Sequence, residues 1–129
     1  MTRRRSEVRV PELAEPISHY TDAVRAGDLL FISGCVPVDG SGALVLGDIE
    51  VQTRQVFTNI AAVLAAAGAG FADVVKVTVF LLDVDDRQRV NRVREEVFGE
   101  TRPASTLVEV SRLAIPGARI EVEAVALLE

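Results

Sequence analysis

The last strand candidate constrains the fold most. Ile120, Val122 and Ala124 alternate with Glu121 and Glu123 and continue into Val125 and Ala126, a period of two that suits a half-buried β-strand. Its apolar side requires a packed layer, and its carboxylates require water or a polar interface. Such a strand needs partners in a sheet. Val74 to Val84 is one, β-branched and densely apolar, with Val75, Val77, Val79 and Leu81 on one side and Lys76, Thr78, Phe80 and Leu82 on the other.

Further strands are expected at Thr21 to Arg25 and Leu29 to Val38, a hairpin around the turn residues 26–28, and at Thr106 to Arg112. Asp39, Gly40, Ser41 and Gly42 form a turn cluster, after which Ala43 to Leu46 reads as a short third strand. Two segments carry a helical period instead. From Glu50 to Ala67, Val56, Ile60, Val63, Leu64 and Ala67 make one stripe, with Gln52, Arg54, Gln55 and Asn59 on the remainder. Asp85 and Asp86 cap a second helix that buries Val90, Val93 and Val97 and ends at Gly99 after Phe98. The order is βββαβαββ.

Strands in runs with two inserted helices imply an α+β fold, a mixed sheet with both helices on one face. Ile120, Val122 and Ala124 then face the helices, while Arg119, Glu121 and Glu123 lie on the open face. Ser105, Leu107 and Glu109 share a face of the preceding strand. With 129 residues, 49% of them hydrophobic, residues 1–129 suffice for one domain. Residues 1–15, with Arg3, Arg4 and Arg5 but no apolar run after them, are expected to form a flexible arm rather than a secretory signal.

A net charge of −5 disfavours nucleic acid and anionic membrane surfaces as partners. No apolar run is long enough for a membrane-spanning helix. The single cysteine, Cys35, has no partner for an intramolecular disulfide and no metal-type Cys/His cluster around it, which suits a reducing cytoplasm without a metal or other cofactor.

Several ordered segments carry a family resemblance over roughly residues 16–127. They are Ile17 to Val24, Leu30-Phe31-Ile32-Ser33-Gly34, Gln52 to Leu64, Val74 to Leu81, Asn91 with Phe98, Pro103-Ala104-Ser105-Thr106-Leu107-Val108-Glu109-Val110, and Ile120 to Ala126. Together they resemble the RidA (YjgF-type) family of small trimeric imine and enamine deaminases. The resemblance implies the chorismate-mutase-like sheet, a homotrimer of sheets with its helices outside, and small-molecule sites in the clefts between subunits. It also implies a water-directing role for Glu121 and pocket positions for Tyr20, Ser33, Gly34, Cys35, Asn91 and Leu107.

At one position the chain departs from the pattern. The family's Pro-Ala-Arg-Ser/Thr becomes Pro103-Ala104-Ser105-Thr106, so the arginine that clamps a substrate carboxylate is a serine. One neutral hydroxyl is a poor substitute for the paired, charge-assisted donors of a guanidinium. Three outcomes follow. Another cation takes the clamp's place, Arg102 being nearest in sequence; the substrate lacks that carboxylate, with Glu121 as general base, Tyr20 as donor and Ser33 or Ser105 orienting the ligand; or the pocket binds a metabolite without turnover, as a regulatory trimer. An altered-substrate hydrolase or deaminase is the favoured expectation. Ribonuclease or translation-inhibitor activity, a label attached to this family, sits poorly with the acidic balance and the lack of an aromatic-basic stripe.

Other reactive side chains have plainer readings. His19 belongs to an exposed turn, Cys35 is a small buried residue rather than a nucleophile, and Lys76 reaches water with its long stem rather than forming a Schiff base. Arg54 is placed to pair with Glu50, and Glu109 with Arg112 or Arg119.

Overall fold

The computed structural model describes residues 4–129. Six strands, β1 (Arg5–Val8), β2 (Ala23–Ala26), β3 (Leu29–Cys35), β4 (Val74–Leu81), β5 (Ala104–Glu109) and β6 (Ile120–Leu127), form one sheet in the order β1-β2-β3-β6-β4-β5. Helices α1 (Ile49–Ala66) and α2 (Arg87–Phe98) precede β4 and β5. Only β4 and β5 run parallel, joined by the crossover through α2. The mixed α+β sheet with two helices is thus as expected, and β6, the alternating strand, lies between β3 and β4.

Alternation decides which face is which. Ile120, Val122, Ala124 and Ala126 of β6 and Val77, Val79 and Leu81 of β4 are buried. They form one core with Leu30 and Ile32 of β3, with Ile49, Val56, Phe57, Ile60, Val63 and Leu64 of α1, and with Val90 and Val93 of α2. Among the described residues no helix covers the opposite face of the sheet. Val75 departs from the expected pattern: a register shift between Val74 and Lys76 puts Val74 in the core and leaves Val75 exposed.

Of the first three expected strands, two are present as the β2–β3 hairpin and the third is not. Ala43 to Leu46 is not a strand, because its only ladder contact is one bridge between Val38 and Leu44. The count is restored at the other end. Arg5–Val8 pairs antiparallel with Ala23–Ala26, and Val10 is 1% exposed in the core. The expected flexible arm is therefore a strand and a core anchor from residue 5 onward. The rest of that expectation, at residues 1–3, lies outside the described residues. Its polar sequence, Arg5-Ser6-Glu7-Val8, suits an edge strand and conceals it from an apolar pattern search.

Polar residues on α1 also depart from expectation. Gln52 and Asn59 are buried, because each satisfies loop backbone groups that would otherwise lack partners. The Gln52 amide donates to the Gly117 carbonyl at 3.0 Å and accepts from the Arg119 N–H at 2.8 Å, pinning the turn before β6. Asn59 donates to the Val36 and Val38 carbonyls at 3.0 and 2.9 Å, pinning the segment after β3. Arg54 pairs with Glu96 of α2 rather than with Glu50. Arg119 pairs with Asp86, and Glu109 accepts from the Val84 N–H. Each ion pair ties two elements together instead of decorating one.

Candidate functional site

Most of the positions singled out in the sequence gather at two concavities. The first is built where β3 leaves its ladder. Between Ile32, opposite Ala124, and Cys35, opposite Val122, β3 carries one residue more than β6. This bulge turns Ser33 and Gly34 away from regular pairing, as bulges beside functional sites do. A cavity of about 330 Å³ opens there, lined by Ile17, Tyr20, Ser33, Cys35, Asn59 and Val63 among others.

Each polar group of this cluster has a defined state. The Ser33 hydroxyl donates to the Thr21 carbonyl at 2.6 Å, which leaves its lone pairs free to accept from a ligand. Tyr20 is 48% exposed at the mouth of the cavity. Asp22, also on the wall, accepts from Arg9 at 2.6 Å and from the Val10 N–H at 2.7 Å. The β1 segment is thereby fastened to the pocket. Burial, with the charges of Asp22 and Glu121 adding, pushes the Cys35 thiol up to about 12. A protonated thiol is a wall, not a nucleophile.

Glu121 is half-buried on the open face of β6. Its carboxylate lies against the backbone of Gly34, so closely that a Cβ at Gly34 would stand 2.3 Å from Oε2. Only glycine allows that approach. Burial first, and the neighbouring charge of Glu123 second, raise the Glu121 pKa above the ordinary value. Glu121 does not itself line the cavity; it touches Gly34, which does, and a carboxylate with a raised pKa is suited to taking a proton.

The second cluster lies at the β5 edge of the sheet. Asn91, Arg94, Phe98, Arg102, Pro103 and Ser105 line a broad concavity of about 570 Å³ between α2 and β5. Ser105 pairs in register with Val77, a residue of the core face, so its side chain leaves the sheet on the helix side. There its hydroxyl oxygen accepts from Arg94 at 2.8 Å. Arg94 escaped the sequence reading, although its position three residues after Asn91 puts both on one helix face. Arg102 is exposed on the rim. Leu107, two residues after Ser105, packs against the core and lines neither concavity.

Glu121 and Ser105 thus leave opposite faces of the sheet, with β4 between their strands. Among the described residues no group of three or more His, Cys, Asp or Glu side chains is placed to hold a metal ion. Nor is any helix long and apolar enough to cross a membrane.

The profile of the family described as endoribonuclease L-PSP matches residues 11–128. The chain belongs to that family, the RidA/YjgF proteins. It is 50% identical over 116 residues to a RutC family protein of Pyrococcus horikoshii, covering 89% of this chain and 91% of the relative. It is also 34% identical over 123 residues to the 2-iminobutanoate/2-iminopropanoate deaminase of Dermatophagoides farinae, covering 95% of each. The crystal structure of the YjgF gene product of E. coli superposes with a TM-score of 0.89 at 34% identity, covering 96% of this chain and 99% of that one. The chorismate-mutase-like architecture of the RidA fold follows from this match together with the sheet order.

Proposed function

We propose that this RidA family member is a cofactor-free deaminase of a small imine or enamine, with its substrate seat altered at position 105. The observation that carries this reading is the Glu121 carboxylate, pressed against Gly34 beside the cavity of Tyr20 and Ser33, with a pKa raised by burial. The similarity to an iminobutanoate deaminase supports the reaction class.

The chemistry needs only water. Glu121 takes a proton from a water molecule as its oxygen attacks the C=N carbon, the π electrons moving to nitrogen. Nitrogen is protonated, the C–N bond breaks, and ammonia leaves as the C=O bond forms. An enamine enters the same route once its carbon is protonated. In this reading Tyr20 donates to the substrate and Ser33 accepts from it.

One chain does not bring its two clusters together, since Glu121 and Ser105 project from opposite faces of the sheet. The bare sheet face carries Phe31, 46% exposed, with Leu29, Val108 and Leu127 also exposed. Apolar side chains of that size on one face suit contact with further copies. A homotrimer would set the Tyr20, Ser33 and Glu121 cluster of one subunit against the Asn91, Arg94 and Ser105 cluster of the next. The net charge of −5 favours a metabolite over RNA as the ligand.

Ammonia release from freshly generated imines and from enamines, by wild type and by Glu121→Ala, tests the reading. Loss of turnover in Glu121→Ala is the expected result. Equal rates would remove Glu121 from the mechanism, and ligand binding without any turnover by wild type would leave a metabolite-binding trimer in place of an enzyme.

A further inference from the structure

Among the described residues Arg94 has no carboxylate within salt-bridge distance. That sets it apart from the other arginines of α2. Arg89 reaches Asp48 at 2.7 Å and Arg92 reaches Glu50 at 3.4 Å, and Arg87 stands 3.7 Å from Asp85. Arg94 instead meets two neutral acceptors, the Ser105 hydroxyl at 2.8 Å and, at the 3.5 Å limit, the Asn91 carboxamide oxygen. Burial lowers its pKa, though a guanidinium so shifted stays charged.

A partly desolvated guanidinium without an anion is an unfinished ion pair. Neutral acceptors orient it without spending its charge, and the concavity in front of it is wide enough to admit a small molecule. The lining charges fix the kind of anion. Arg94 and Arg102 carry two positive charges and Glu95 one negative charge, a net of +1 that balances a carboxylate and falls short of a phosphate dianion.

We propose that Arg94, oriented by Ser105 and Asn91, is the residue that seats the carboxylate of a small monoanionic ligand in this concavity. The seat is therefore carried by α2, with Ser105 as a positioning residue rather than a ligand contact. Arg102, exposed on the rim, adds charge without orientation. The proposal rests on the deaminase reading only in taking the ligand to be an oxo or imino acid. Its carboxylate binding is measured without turnover.

Calorimetric titration with 2-oxobutanoate, and with its neutral methyl ester, tests the assignment in the full-length protein. Wild type is expected to bind the acid and not the ester. Arg94→Met should bind the acid at least ~30-fold more weakly, the size of a lost charge-assisted hydrogen bond. Arg94→Gln, milder in shape, should show the same loss, so that a folding defect in one variant does not decide the matter. Arg94→Met combined with Ser105→Arg should regain affinity, because a guanidinium returns from the neighbouring strand. Arg112→Gln removes a surface charge elsewhere and should leave binding unchanged. Equal affinity in wild type and both Arg94 variants, or no binding of the acid by wild type, would overturn the proposal. Arg94-dependent binding with no ammonia release from any imine would instead overturn the deaminase reading and leave this one standing.

Discussion

At the scale of single residues, the contact between Glu121 and Gly34 decides most. A methyl group at Gly34 would sit 2.3 Å from Oε2 and 2.9 Å from Cδ, so Gly34→Ala must push the carboxylate aside. Ammonia release is predicted to fall on the order of 100-fold, the usual cost of misplacing a reacting group by about an ångström. Steady-state assay beside a thermal melt separates that loss from unfolding. The pH profile follows from the raised Glu121 pKa. A general base works when ionised, so activity should rise through a limb above the ordinary carboxylate range. Glu123 contributes to that shift, so Glu123→Gln should move the limb to lower pH. Stability responds in the opposite sense. A carboxyl whose folded pKa exceeds its unfolded value binds more protons when folded, so its contribution is full at low pH. That contribution is lost as pH rises through the folded pKa. Glu121→Gln should flatten that part of the stability profile in urea titrations at stepped pH.

At the scale of elements, legibility depended on whether a segment's pattern was set by the core. β6 and β4 alternate because one face is buried, and both could be read directly, apart from the shift at Val75. β1 could not, because an edge strand with one anchoring valine beyond it has no pattern to read. Gln52 and Asn59 look like solvent-facing helix residues because helical periodicity registers polarity and is blind to a loop carbonyl waiting for a donor. The site was half legible. Tyr20, Ser33, Gly34 and Cys35 gather at one cavity, whereas Arg94 was hidden because its acceptor, Ser105, is on another element. Two predictions belong here. Val10→Ala should cost about 2–3 kcal/mol in urea unfolding if the β1 segment is core rather than a loose arm. Gln52→Leu strips partners from the Gly117 carbonyl and the Arg119 N–H. It should cost about 1–3 kcal/mol for each group left unpaired, read from the same transition.

At the scale of the whole molecule, helices cover one face of the sheet, and the other presents Phe31, Val125, Lys76, Thr78 and Glu123 around a shallow hollow. This mixture of apolar and charged side chains suits a wet subunit interface better than a dry core. Glu121 and Ser105 project from opposite faces, so a site that uses both groups needs neighbouring subunits to complete it. Co-assembly of two variants tests that requirement most directly. Glu121→Ala damages one half-site and Arg94→Met the other, and each alone should release little ammonia. When the two are co-expressed and assemble at random, each cleft has one chance in four of receiving both intact halves, so activity should return to about a quarter of wild type. A mixture no more active than its separate parents would contradict a site shared between subunits.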